Sequence, residues 1–190
     1  MLQLCKQTSI SCCGCQADKN GIKNLRSTAD TTMVVPNQNL FRIANENTSF
    51  AQMFRLADDI FQCCVRTVAD LTSSPGMINL DLADVATVFK DAGWGMTGSG
   101  EAEGERRALD ATEAAICNPM FGDEDLSTAR QVLINVTGGR DVSLFEVDEA
   151  ANRVREELKE DTHIIFASCF DEEMDGRIRV SVIATGIERA

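Results

Sequence analysis

The chain has 190 residues, a formal net charge of −12 and a hydrophobic fraction of 44%. A chain of this length can bury a sizeable core, most simply as one domain with an appendage. The acidic balance argues against nucleic acid or an anionic membrane surface as a partner. No apolar run approaches the roughly 18 residues of a membrane-spanning helix, and no secretory signal is recognisable, so we expect a cytoplasmic protein.

The eight cysteines fall into two groups. Four lie in the first 15 residues (Cys5, Cys12, Cys13 and Cys15), and four lie in apolar patterns further along (Cys63, Cys64, Cys117 and Cys169). The first group lacks a paired C-x-x-C and the single histidine, His163, is distant, so we predict no metal site. We interpret residues 1–20 as a disordered thiol-bearing tail and the later four cysteines as small buried hydrophobes.

A strand and a long helix are predicted next along the chain. Residues 31–35 are rich in β-branched side chains and are stopped by Pro36, which is typical of a buried strand. Ser49 and Gln52 have capping-box spacing, and apolar residues then recur at helical spacing over residues 50–71. A helix of that length, about 35 Å, can cross a whole domain.

Shorter helices and strands alternate in the remainder. We predict a helix ending near Lys90, a strand near 95–97, a helix at about 104–117, a strand at 131–136, a helix over 147–158 capped by Ser143 and Glu146, and strands at 163–170 and 177–185. Gly98 and Gly100 are interpreted as turn glycines. The order predicts an α/β two-layer sandwich, a mixed four-stranded sheet with helices on one face, preceded by the long central helix. The predicted units are a tail at 1–20, a strand and long helix at 21–74, and the sandwich at 75–190.

The segment from Asn79 to Asp84 carries the clearest chemical pattern. Asp81 and Asp84 lie three residues apart in the first turn of a helix, where the helix dipole favours negative side chains. Such groups can orient a water molecule or a cation during phosphate hydrolysis, although spacing alone favours plain helix-capping carboxylates. No Gly-rich phosphate loop occurs in the sequence.

Several segments together resemble FtsZ, the bacterial tubulin-like division GTPase. They are VPNQNL at 35–40, FRLADD at 54–59, PGMINLDLAD at 75–84, GMTGSGEA at 95–102 and VSVIATG at 180–186. DVSLFEVDEAA at 141–151 is similar to the alphaproteobacterial branch in particular. The resemblance covers residues 21–187 in order and implies the fold of the tubulin/FtsZ C-terminal domain.

The resemblance also implies a role for Asn79, Asp81 and Asp84. In FtsZ the loop with this Asn-x-Asp-x-x-Asp motif reaches the GTP bound by the next subunit. The three side chains would polarise the attacking water or coordinate a cation, Mg²⁺ or K⁺, at the neighbour's γ-phosphate. Phosphoryl transfer asks mainly for positioning and electrostatics, which agrees with this role.

A second set of residues is implied to lie near the guanine nucleotide of its own subunit. These residues are Asn37, Phe54 and Asp58. Asp58 would accept hydrogen bonds from the guanine N1–H and amino groups, and Phe54 would pack against the base.

Nothing in the sequence matches the Gly-rich phosphate loop of FtsZ or the rest of its nucleotide domain. We therefore expect no autonomous GTP hydrolysis. The first hypothesis is a truncated FtsZ-like division protein that supplies its loop to the GTP site of an intact FtsZ subunit, with no nucleic acid and no direct membrane contact. The alternatives are a GTP-binding GTPase that needs the missing half from another chain, and a gene remnant without function.

Overall fold

One mixed sheet organises the molecule. The computed structural model describes residues 2–7, 21–36, 49–73, 78, 80–118 and 126–187. Its strands are β1 (Leu2–Gln7), β2 (Thr31–Pro36), β3 (Gly93–Glu103), β4 (Gln131–Gly138), β5 (His163–Phe170) and β6 (Arg177–Thr185). They are arranged in the order β1-β2-β3-β6-β4-β5, in which β6 runs antiparallel to both β3 and β4 and the other neighbours are parallel. The predicted four-stranded mixed sheet is present as β3, β6, β4 and β5, and two further strands extend it.

Two of the helices begin at the capping boxes that the sequence predicts. The helices are α1 (Phe50–Ser73), α2 (Leu82–Phe89), α3 (Arg107–Ile116) and α4 (Leu144–Glu156), with a short helical segment at 21–26. At the start of α1 the Ser49 backbone N–H donates to Gln52 Oε1 over 2.7 Å, and the Gln52 N–H donates to Ser49 Oγ over 3.3 Å. Ser143 and Glu146 form the same reciprocal pair at α4. Both boxes satisfy N–H groups that a helix start leaves without partners.

Helices cover both faces of the sheet. Alternate residues of β4 point to opposite sides, so that Val132 and Ile134 enter a core with α3 and α4, whereas Leu133 enters a core with α1 and α2. The sandwich of sheet, α3 and α4 matches the prediction. Helix α2, expected in the same layer, lies instead beside α1 on the opposite face. Its apolar spacing predicts one buried face but carries no information about which side of the sheet that face meets.

Strand β3 is longer than its predicted three residues. It runs for 11 residues, and Gly98 and Gly100 lie inside it rather than in a turn. A side chain at Gly100 would overlap the carbonyl oxygen of Ala111 in α3. Glycine is therefore needed there for the close approach of a helix to the strand, which a reading of glycine as a turn residue overlooks.

The first residues of the chain also depart from the prediction. Residues 2–7, expected in a disordered tail, form β1 and pair in parallel with β2, from Leu2 opposite Thr31 to Gln7 opposite Pro36. The alternation of Leu2 and Leu4 with polar residues is a strand signal that the cysteine-rich composition obscured. Residues 8–20 lie outside the described part of the chain.

The later cysteines are not all buried. Cys64 and Cys169 are, but Cys63 is half-buried and Cys117 is exposed. Within the described residues, no helix is both long enough and apolar enough to cross a membrane.

Candidate functional site

Asp81 is the N-cap of α2. Its backbone is extended, with φ −83° and ψ 163°, and its Oδ1 accepts a hydrogen bond from the Asp84 backbone N–H over 2.8 Å. The Asp81 carbonyl accepts from the Val85 N–H over 3.2 Å, which starts the helix. The capping interpretation of this carboxylate is therefore confirmed. Because the cap uses Oδ1 alone, it leaves Oδ2 for other chemistry.

Asp84 lies in the first turn of α2, three residues after the cap, and both carboxylates are exposed. The positive end of the helix dipole stabilises negative charge at this place. Two exposed carboxylates can orient water or hold a hydrated cation, but they repel a phosphate that lacks an intervening cation. These two carboxylates can therefore position water or a hydrated cation, but they offer no positive charge to a phosphate.

The start of α2 lies at the end of the sheet where β4 and β5 terminate, which we call the β4/β5 end. Just before α2, the Ile78 carbonyl accepts a hydrogen bond from the Ser168 N–H over 3.2 Å, near the last residue of β5. Helix α2 then runs back along the sheet, and its Val88 carbonyl accepts from Thr185 Oγ1 over 2.7 Å at the opposite end. Asp81 and Asp84 are thereby held at the β4/β5 end.

Exposed apolar side chains lie at the same end. Strand β4 terminates at Gly138 and α4 begins at Leu144, which is 63% exposed and is followed by Phe145, 88% exposed. Ile78 is 37% exposed, and Val65 completes the set of exposed large hydrophobics in the described part of the chain. Single exposed apolar residues are ordinary, but three at one end of a sheet form a candidate contact surface.

A buried arginine fixes the start of α4, and the sequence analysis did not identify it. Arg107, at the start of α3, is 8% exposed and donates from Nε to Glu146 over 2.6 Å and from Nη1 to Asp141 over 2.5 Å. These hydrogen bonds lower the pKa of both carboxyl groups. The three residues tie the loop after β4 to α4 and so hold Leu144 and Phe145 in place. The available signal was an arginine on the apolar face of a helix.

The residues predicted to lie near the guanine nucleotide, Asn37, Phe54 and Asp58, belong to other segments of the chain. Asp58 is exposed on α1, and Phe54 belongs to the same helix. The helical rise separates Asp58 from the last residue of α1, Ser73, by about 22 Å. Asp58 lies in the first half of α1, whereas Asp81 and Asp84 lie at the start of α2. Asn37 and Asn79 lie outside the described residues.

Among the side chains that the structure describes, no group of three or more His, Cys, Asp or Glu residues is arranged to hold a metal ion. A cation at Asp81 and Asp84 would therefore need further ligands from outside that set, such as water, phosphate oxygens or a partner.

The fold and the site define a class. The C-terminal half of tubulin-like proteins has this arrangement, a mixed sheet with two helices on one face and a long central helix on the other. A structure described as an FtsZ dimer from M. jannaschii superposes on 97% of this chain, with a TM-score of 0.87 and 30% identity. The family model described as "FtsZ family, C-terminal domain" matches residues 93–188. The chain belongs to the FtsZ family.

Curated relatives agree with this assignment. The chain is 55% identical over 168 residues to the cell division protein FtsZ of Wolbachia pipientis, which covers 88% of the chain and 53% of that protein. It is 56% identical over 173 residues to FtsZ of Rickettsia bellii, covering 90% of the chain and 38% of that protein. The chain also covers 54% of the M. jannaschii chain. It thus spans about half the length or less of these relatives.

Proposed function

We propose that this chain acts in or on the division filament, by docking its β4/β5 end on the nucleotide-bearing end of an intact FtsZ subunit. Docked there, it supplies Asn79, Asp81 and Asp84 to the GTP of that subunit. The observation that carries the proposal is the presence of two exposed carboxylates and an exposed Leu144–Phe145 pair at one end of the same sheet.

The exposed apolar pair and the two carboxylates have different roles in the proposed docking. Burial of a leucine or phenylalanine side chain contributes about 1.5–3 kcal/mol, so Leu144 and Phe145 supply contact energy. The carboxylates supply chemistry, because Asp84 and the second oxygen of Asp81 can orient the attacking water directly or through Mg²⁺. The neighbour supplies the phosphate grip that Asp81 and Asp84 lack.

The comparisons support this arrangement in outline. The M. jannaschii structure is described as a dimer of FtsZ, and the curated relatives are named cell division proteins. Since these 190 residues contain the two carboxylates but no Gly-rich phosphate loop, we assign hydrolysis to the shared site and not to these residues alone. We place the protein in the cytoplasm at the division site, with intact FtsZ as partner and without nucleic acid or direct membrane contact.

The test is a titration of the purified chain into intact FtsZ that is polymerising with GTP, followed by light scattering and phosphate release. The chemical variant is Asp81→Asn with Asp84→Asn, because asparagine keeps the cap of α2 while it removes both charges. The docking variant is Leu144→Ser with Phe145→Ser. The matched control is Asp161→Asn, an exposed carboxylate that lies two residues before β5 begins and therefore at the opposite end of that strand.

The wild-type chain and the Asp161 control should suppress polymer at substoichiometric amounts. The double asparagine variant should suppress polymer equally but alter phosphate release, and the docking variant should change neither signal. If the wild-type chain leaves both signals unchanged, the remnant hypothesis replaces this one. Saturable binding of GTP to the chain by itself would favour the GTP-binding alternative.

A further inference from the structure

Side chains from three strands fix the last turn of α2 to the sheet. Thr185 of β6 is fully buried and donates from Oγ1 to the Val88 carbonyl over 2.7 Å. Thr31 of β2, also fully buried, donates from Oγ1 to the Phe89 carbonyl. Gln131 of β4 lies directly opposite Thr185 in the sheet, and its amide, oriented to satisfy its neighbours, donates to the Val88 carbonyl over 3.1 Å. We call Thr31, Gln131 and Thr185 the α2 anchor.

The α2 anchor satisfies carbonyl groups that the helix itself cannot. The last four carbonyls of a helix have no N–H partner inside it. In α2 the Lys90 N–H, just past the helix, reaches the Ala86 carbonyl over 3.0 Å, and Gln131 also donates to the Thr87 carbonyl over 2.9 Å. All four carbonyls of the last turn are thus paired. This end of α2 cannot shift without breaking hydrogen bonds from buried donors, which are costly to lose.

The opposite end of α2 carries Asp81 and Asp84 and is more exposed. Both of these residues and Ala83 are exposed, and among the α2 side chains that the structure describes the first buried one is that of Val85. Helix α2 has eight residues, about 12 Å at the helical rise, and its internal hydrogen bonds make it move as one rod. A displacement of its last turn is therefore transmitted to the two carboxylates.

We propose that the α2 anchor positions the carboxylates of Asp81 and Asp84 relative to the GTP of the docked subunit. This inference rests on the proposed function and adds the residues on which its geometry depends. The anchor lies at the opposite end of the sheet from the β4/β5 end, so its members touch neither the nucleotide nor the partner and are positioning residues. Phosphoryl transfer depends mainly on positioning, and a displacement of about 1 Å can lower a rate about 100-fold.

The docking residues and the α2 anchor act on opposite faces of the sheet. Leu144 and Phe145 begin α4, which packs on the same face as α3, whereas the anchor holds α2 on the face with α1. A substitution in the anchor should therefore lower the chemical rate and leave docking unchanged. A substitution that merely destabilised the chain would not separate the two.

The experiment combines the full chain with an intact FtsZ whose own two loop aspartates, which match Asp81 and Asp84, are replaced by asparagine. This partner keeps its phosphate loop, so phosphate release depends on the carboxylates that the added chain supplies. The chain is titrated into a fixed amount of partner and GTP. The plateau rate of phosphate release then reports the chemical step, and the chain concentration that gives half of that rate reports docking.

The central variant is Thr185→Val, which removes the hydroxyl at nearly constant volume. It should lower the plateau rate by about tenfold or more and change the half-maximal concentration by less than about twofold. Thr185→Ser keeps a hydroxyl and should restore most of the rate. The matched control is Thr112→Val, because Thr112 is also fully buried and donates over 2.7 Å to a helix carbonyl, that of Ala108 in α3. This control should leave both quantities within about twofold of wild type.

Hydrogen exchange of the chain by itself is a second readout and needs no filament. The amides of α2 should exchange faster in Thr185→Val than in wild type, and at the wild-type rate in Thr112→Val. Gln131→Leu, at a half-buried position, should behave like Thr185→Val and replaces it if that variant does not fold. A wild-type plateau rate in the anchor variants, an equal loss in Thr112→Val, or unchanged α2 exchange would overturn the anchor role. A wild-type chain that releases no phosphate would instead overturn the proposed function, and the anchor role with it.

Discussion

Replacement of the buried Arg107 by methionine should destabilise the chain more than any surface charge substitution. Methionine retains the apolar stem of the side chain, but it removes the donors that hold Asp141 and Glu146. The two carboxylates then remain close together without a cation.

The expected size of the destabilisation follows from how deeply the three side chains are buried. Loss of one partner of a fully buried ion pair costs about 3–5 kcal/mol. Here the arginine side chain is 10% exposed, but those of Glu146 and Asp141 are 22% and 43% exposed, so water compensates part of the loss. We therefore expect a loss of about 2–3 kcal/mol, or about 4–12 °C in Tm for a domain of this size.

The effect should depend on pH with a definite sign. Hydrogen bonds from Arg107 lower the pKa of Asp141 and Glu146 in the folded state. A lowered pKa contributes stability that is present above the unfolded-state value of about 4 and is lost as pH falls through the folded-state value. The wild-type chain should thus lose more stability than the variant on acidification, and the two should converge as pH falls from about 4 through the lowered folded-state pKa values of Asp141 and Glu146.

The assay is urea unfolding of both proteins between pH 7 and pH 3, followed by circular dichroism. The matched control is Arg140→Met, because Arg140 is 81% exposed and pairs with a 78% exposed Glu172 over 2.9 Å. That control should cost less than about 1 kcal/mol. Equal destabilisation by the two substitutions, or a difference that does not vary with pH, would refute the reasoning.

Two further pairs of substitutions, each a test and its control, probe the packing of α3 and the cap of α4. Gly100→Ala should cost about 1–3 kcal/mol in urea unfolding, because the new methyl group meets the backbone of α3, whereas Gly21→Ala, where a Cβ meets nothing, should not destabilise. Ser143→Ala removes the hydroxyl that accepts from the Glu146 N–H and should lower stability by about 1 kcal/mol in thermal unfolding, while Ser143→Thr, which keeps a capping hydroxyl, should cost less. A loss at Gly21 equal to that at Gly100, or no loss in Ser143→Ala, would contradict these accounts.

The elements with strong local signals were predicted closely. The two capping boxes mark the starts of α1 and α4, and the strands predicted at 163–170 and 177–185 are found as β5 and β6 with the same bounds. Local hydrogen bonds and alternation decide such elements, so sequence suffices. The length of β3 was missed because its glycines serve the packing of α3, which is a contact distant in sequence.

In the candidate site, too, only the features that depend on local contacts could be predicted from the sequence. The cap role of Asp81 follows from spacing, because the hydrogen bond to Asp84 is local. The cluster around Arg107 could not be predicted from spacing, because its two carboxylates lie 34 and 39 residues away along the chain. The role of Leu144 and Phe145 at the β4/β5 end also required the sheet topology, since nothing in the sequence sets them beside α2.

Docking through the β4/β5 end would determine how the chain limits a filament. Two surfaces at different ends of one subunit form a head-to-tail contact, and such contacts repeat without closing. In the proposed titration, the 190 residues used carry the β4/β5 end but no Gly-rich phosphate loop, so a docked copy would not present a nucleotide site to the next subunit. On this reasoning each bound copy stops one filament, so the loss of polymer should follow the number of filament ends and not the total FtsZ concentration.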